Sequence, residues 1–441
     1  MNLNFFGTNK IFYVLAGIII FLILISLVFI LGKSGGGGVQ DAKINFWGAY
    51  DTRQDVSEVI KAFEGANSGV KITYTQFAYE DYERALVDAL AAGTGPDVFM
   101  IHHTWLAGHK NKLSPIPTTS SVKDYKFMTP TDFQGQFVEV VNKDLISDGK
   151  IYAMPLYVDT LALFYNRDMF NTAGITHPPK SWDEFNEDVK LLTKFDNSGN
   201  IVQAGAAMGT AKNINRSTDI LSALMIQNGT KMNNTTNTAA TFTRSVSTVK
   251  VGENALQYYT DFANPLKEVY TWNDSQHYSL DAFTEGGVAM MFNYSHQIPI
   301  IQKRFSRLNF AVAPMPQFSE LDAKTYANYW AVGVSAKSKY QEAAWMFTSY
   351  LGSREGSSIY LSSTARPAAR RDVIDVQRND PKLGVFAVQA LTAKSWYQID
   401  NNAVDQIFAD MIDNVNLKRQ KLRAAMQAAE SAINTLTSRR P

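Results

Sequence analysis

The chain has 441 residues, 45% of them hydrophobic and 19% charged; this is the composition of a folded protein and too long for one ordinary core, so two lobes are expected after the N-terminus. A formal net charge of +1, with no basic run interleaved with aromatics, removes the electrostatic case for a nucleic-acid partner. The absence of cysteine excludes a disulfide framework, a thiolate metal site, a thiol nucleophile and a lipid attached through cysteine.

After a short segment, 1–10, residues 11–31 form an uncharged run of Ile, Leu, Phe and Val bounded by Lys10 and Lys33. At about 1.5 Å per residue such a helix reaches about 30 Å, the hydrocarbon thickness of a bilayer. Phe29-Ile30-Leu31 offers no small-residue cleavage site, so an uncleaved transmembrane helix is expected, with the body on the extracytoplasmic side. A glycine-rich linker, 32–42, follows; its flexible part spans on the order of 15 Å and keeps the body near the membrane.

In the body, 43–47 reads as a strand, 55–63 as a helix, 70–75 as a second strand, 81–92 as a second helix and 97–101 as a third strand. This alternation predicts a mainly parallel sheet covered by helices, with ligands at the carboxyl ends of the strands. Strands are expected at 151–155, 161–165, 310–313 and 330–334. Ser181 with Glu184 three residues on has the capping-box pattern of a helix start. The Asn- and Thr-rich stretch 228–243 reads as an exposed loop and a poor site. Helices are expected at 341–351 and 417–436.

Several motifs resemble the family 1 extracellular solute-binding proteins of ABC importers, the group that includes maltose- and other sugar-binding proteins. They are AGTGPDV at 92–98, DGKIYAMP at 148–155, LFYNRDMF at 163–170, PPKSWDEF at 178–185, FTEGGVAM at 283–290, APMP at 313–316 and AAWMF at 343–347. Each is weak alone; their order is specific. The resemblance implies an α/β two-lobe periplasmic-binding-protein-like fold of type II. Residues 43–157 plus 313–353 would form the N-terminal lobe and 158–312 plus 354–441 the C-terminal lobe. Crossings between lobes are expected near 157–159, 312 and 351–354. The implied function is capture of a small solute, with a sugar or oligosaccharide favoured, for delivery to ABC permease subunits by a monomeric body. A ligand-sensing receptor on the same fold and a carbohydrate-active enzyme are the alternatives.

Sugars stack their apolar faces on aromatic rings and present hydroxyls to carboxylates and amides. Tyr50 and Asp51 follow the first strand, and by the resemblance Asp51 falls where a hydroxyl-binding carboxylate sits. His102 and Trp105 occupy the loop after the third strand, where maltose-type proteins carry an Asp-Arg pair at the positions of Thr104 and Trp105. By the same resemblance Asp159 aligns with a ligand-contacting acid, its bland reading being a hinge cap or ion pair. Trp272, Tyr294, Trp330 and Trp396 complete the candidates, with Asn293 and His296 beside Tyr294; Arg366 reads as structural. His102, His103 and His109 match no zinc spacing, and neighbouring histidines of a strand point to opposite faces. No metal, cofactor or catalytic residue is expected.

Overall fold

The computed structural model describes residues 41–438. The expected membrane helix at 11–31 and nearly all of the linker lie outside them; among the described residues no helix is long and apolar enough to cross a membrane.

The first lobe follows the strand–helix alternation. Strand Ala42–Ala49 buries Ala42, Ile44 and Phe46 on one face. Thr52 then starts helix Arg53–Ala66 through a capping box with Asp55, and Val56, Val59 and Phe63 cover the sheet. Strand Val70–Phe77 pairs with the first in parallel. Helix Tyr79–Ala92 ends on Gly93 in the left-handed region, φ 75°, a conformation that costs glycine little. The chain re-enters the sheet as Val98–His102, parallel to the first strand.

The expectation of mainly parallel sheets is corrected. In the first sheet Trp330–Ser335 runs antiparallel to Val98–His102, to Ala153–Pro155 and to Leu113–Ser114. The second sheet has the order Lys194–Phe195, Ile201–Ala206, Val288–Asn293, Ala162–Asn166, Phe310–Ala313, and within it only Ile201–Ala206 and Val288–Asn293 pair in parallel. Topology is the cause: Trp330–Ser335 re-enters its lobe from the hinge, at the end where Val98–His102 leaves the sheet, so the two run in opposite directions.

Each sheet anchors its own core. One contains Phe46, Tyr82, Met100, Trp345 and Phe347, the other Phe164, Trp182, Leu224, Trp272 and Phe292. The boundaries expected within 313–441 change accordingly. Tyr360, Leu361, Val373 and Ile374 pack in the first core, so residues 354–374 belong with the first lobe. The crossing expected near 312 falls at 325–328, and the one expected at 351–354 falls near 393–394. All three crossings pair in one small sheet, with Asp159–Thr160 antiparallel to Thr325–Asn328 and Ala393–Lys394 parallel to it. Gln389 ties them together. Its Oε1 accepts from Met315 N at 2.9 Å, and its Nε2 donates to Thr160 Oγ1 and Leu161 O, each at 3.1 Å.

The 228–243 stretch is a loop without helix or strand, but Met232, Ala240, Thr241 and Phe242 are buried, Phe242 against Phe408 with ring centres 5.5 Å apart. The last helix, Leu422–Ser438, follows a separate helix Asn401–Asn416.

Candidate functional site

Ala327 and Asn328 of the hinge strand lie at the base of a cavity of about 440 Å³ between the lobes, within the roughly 300–1,000 Å³ of small-molecule sites. The first-lobe wall is aromatic, with Trp330 at its centre. The Trp330 ring meets Trp105 at 5.0 Å, Tyr50 at 5.4 Å, His102 at 5.5 Å, Tyr82 at 6.0 Å and Tyr79 at 6.1 Å, mostly edge to face. His102 reaches this wall because it is paired with Trp330 at the end of its strand. Its Nδ1 lies 2.8 Å from Thr104 Oγ1 and its Nε2 3.2 Å from Asn328 Oδ1. Burial, then the neighbouring His103, holds its pKa well below the usual histidine value, so the ring is neutral. Arg366 is the cation of this wall, 4.7 Å from the Tyr157 ring and 5.5 Å from the Tyr50 ring.

Tyr50 has φ 45°, a left-handed backbone that costs a tyrosine about 1–3 kcal/mol and is typical of positions where structure serves a site. The turn puts the Tyr50 ring at the cavity and carries Asp51 behind it. Asp51 accepts from Tyr360 OH at 2.7 Å and lies 3.7 Å from Arg366. Burial raises its pKa, and Arg366 offsets part of the rise.

The second-lobe wall carries charge. Arg216, also left-handed at φ 66°, precedes helix Ser217–Gln227 and lies 4.0 Å from Asp219. Tyr294 supports both, donating to Asp219 at 2.8 Å with its ring 5.2 Å below the guanidinium. Asp405, on helix Asn401–Asn416, accepts from Thr218 Oγ1 at 3.0 Å. Burial and then the charge of Asp219 raise it to about 7; burial likewise raises Asp219. His296 is pushed down to about 3 by burial and by Arg216 and Arg366. Trp105 Nε1 donates across the cleft to Asn401 Oδ1 at 3.0 Å.

A model of the bacterial extracellular solute-binding protein family matches residues 58–384. The chain belongs to that family. A protein of Brucella abortus (strain 2308), named only as a binding protein, is 26% identical over 296 residues, 67% of each chain. The diacetylchitobiose binding protein DasA of Streptomyces coelicolor is 28% identical over 162 residues, 36% of each chain. Among solved structures, a cyclo/maltodextrin-binding protein complexed with maltotetraose superposes with TM-score 0.74 at 19% identity, covering 91% of this chain and 98% of that one. The sugar-binding protein MalE from Xanthomonas citri gives 0.73 at 19% identity, covering 90% and 98%. At such identities the structural likeness carries the two-lobe fold.

In this solute-binding protein the candidates fall into three groups. Tyr50, His102 and Trp330 line the cavity. Asp51, Trp105, Asp159 and Tyr294 stand behind it, supporting residues that do. Asp159 is the clearest case: 2% exposed, it accepts from Ser295 N at 3.0 Å, Ser295 Oγ at 2.7 Å and Thr160 N at 2.9 Å. It therefore holds the loop carrying His296 to the first crossing, the cap reading in place of a solute contact. Burial raises its pKa to about 6 against those hydrogen bonds. The third group lies elsewhere. Trp272 is fully buried in the second core, donating to Asn213 Oδ1 at 3.1 Å. Trp396 packs on Phe408 and lines an adjoining groove.

Arg366, read as structural, lines the cavity. Arg216, Asp219, Tyr157, Asn328 and Asp405 were not singled out by sequence. Tyr157 lay within an expected crossing and carried a usable signal; Arg216 did not, since the left-handed position itself is an arginine, which does not mark such a turn as glycine or asparagine would.

Proposed function

We propose that the chain is a membrane-anchored, extracytoplasmic binding protein that captures a sugar or oligosaccharide between its lobes and delivers it to ABC permease subunits. The interlobe cavity carries the reading: the aromatic wall around Trp330 faces a wall of carboxylates, amides and Arg216. Rings accept the apolar face of a pyranose while carboxylates and amides take its hydroxyls. The binding named for the Streptomyces relative and the maltotetraose complex lend support to this class of solute. The anchor rests on the apolar run at 11–31. Solute bridging both walls adds contacts only when the lobes are together, so it shifts the hinge towards closure, the state a permease reads.

The test is a melting-temperature screen of the full chain against mono- and oligosaccharides. A rise with a saccharide is expected; none with any saccharide counts against the reading. Co-purification with a permease separates import from a sensing receptor.

An enzymatic reading draws on Asp219 and Asp405, two carboxyl groups with raised pKa in one cavity. Both belong to the second-lobe wall, on one side of a bound solute, whereas glycoside hydrolysis uses carboxyl groups flanking the bond, about 5–9.5 Å apart. No turnover of a bound oligosaccharide is expected.

A further inference from the structure

A second space, a groove of about 930 Å³, adjoins the cavity, and His103, Thr104 and Gln398 line both. Each space alone has the size of a whole small-molecule site, roughly 300–1,000 Å³. Together they exceed what one sugar unit fills.

The groove differs in charge from the cavity. Among the described residues its lining carries Lys110, Lys143, Lys231, Lys324 and Lys394 against the single carboxylate Asp144. Asp144 is already engaged: it accepts from Tyr329 OH at 2.9 Å and from Ser395 Oγ at 2.5 Å, and lies 3.2 Å from His103 Nδ1. The acidic partners of the lysines stand outside the lining. Lys143 and Lys394 share Glu139, at 2.7 Å and 2.8 Å, while Lys110 pairs with Asp148 and Lys324 with Asp322. One carboxylate between two ammonium groups leaves positive charge in excess.

The placement of the lysines adds a second argument. Lys110 and Lys143 come from the first lobe, Lys231 from the second, and Lys324 and Lys394 from the hinge segments. Because Glu139 serves two of these lysines, a small positive excess remains, and an anion seated between Lys231 and the lysines of the first lobe and hinge would balance it when the lobes are together. A neutral solute would leave that excess unbalanced.

We propose that the solute is an anionic oligosaccharide, one end held against Trp330 in the cavity and its acidic units extending past His103, Thr104 and Gln398 into the lysine groove. The inference deepens the sugar-binding reading and rests on it. Carboxylated and sulfated sugars share the chemistry that lysines recognise.

The full chain is titrated calorimetrically with maltose, maltotetraose, digalacturonate, tetragalacturonate and a sulfated tetrasaccharide, then as the double variant Lys143→Gln, Lys231→Gln. Both lysines are polar surface positions outside the cavity, so the variant is expected to fold. An anionic tetramer should bind about tenfold tighter than its dimer and than maltotetraose. The double variant should weaken that tetramer about fivefold or more and leave the dimer unchanged, and added salt should reduce the advantage. Whether the uronate or the sulfated tetramer binds tighter identifies the anion. Maltotetraose binding as tightly as the anionic tetramers overturns the charge assignment; equal affinities of dimer and tetramer, or a double variant without effect, overturn the extended site. In those cases sugar binding stands. Binding of no saccharide at all overturns both readings.

Discussion

The two walls of the cavity are built by different means. The first-lobe wall is a cluster of rings on strand ends, in which Trp330 touches Tyr50, His102 and Trp105 at once; its shape comes from packing and persists without solute. The second-lobe wall is a set of charges at helix starts, Arg216 and Asp219 at Ser217–Gln227 and Asp405 on Asn401–Asn416. Its state depends on protonation and on what faces it. A pre-formed aromatic platform, with Arg366 as its one cation among the described residues, opposite an electrically adjustable wall suits a solute that docks on one lobe and completes its hydrogen bonds on closure.

Trp330→Ala strikes the first wall hardest. Deleting the hub of the ring cluster is expected to cost about 3–5 kcal/mol of stability and to abolish saccharide binding, read from urea unfolding and calorimetry. Trp330→Phe should keep most of the stability while weakening binding, and equal effects of the two variants would mean that the wall contributes no stacking surface.

The second wall is probed through pH. Asp405 sits at about 7 in the folded chain against an ordinary 3.8. A carboxyl raised in this way keeps its proton in the folded state after the unfolded chain has lost it, so it lowers stability as pH rises from about 4 to about 7. Asp405→Asn should flatten that fall by on the order of 1 kcal/mol per pH unit, measured by urea unfolding across the window. An unchanged slope would show a wall open to water.

Smaller effects come from the parts that set the walls facing one another. Gln389→Leu leaves Met315 N–H and Leu161 C=O without their partner in the hinge, which should cost about 1–3 kcal/mol and weaken binding although both walls are intact; calorimetric unfolding reads the first effect. Asn401→Ala removes the bond from Trp105 across the cleft. About 1 kcal/mol, or roughly fivefold in affinity, is expected, with a larger radius of gyration in X-ray scattering of the solute-free chain.

Much of the first lobe was legible because its strands and helices alternate along contiguous sequence. Thr52 with Asp55 starts the first helix and Gly93 ends the second, so local chemistry sets both boundaries. The hinge was less legible: Asp159–Thr160 and Ala393–Lys394 are short segments whose pairing partner, Thr325–Asn328, is remote in the chain, and such pairs leave no periodic signal. In the site, Tyr50 and His102 could be named because they lie at strand ends. Asp51 was misplaced by one turn of backbone at Tyr50. Trp272 shows the ambiguity of aromatics, since a tryptophan in a polar stretch can still fill a core.

The amino-acid sequence alone established the strand–helix order of the first lobe, the presence of two lobes and the family motifs, because these depend on neighbours within a few residues, on chain length or on motif order. Which side chains meet in the cleft was settled by tertiary structure. Arg216 with Asp219, Asp405 and Arg366 come from three separate stretches of the chain, and they face one cavity because of the left-handed turn at Arg216 and the hinge pairing that brings the lobes together.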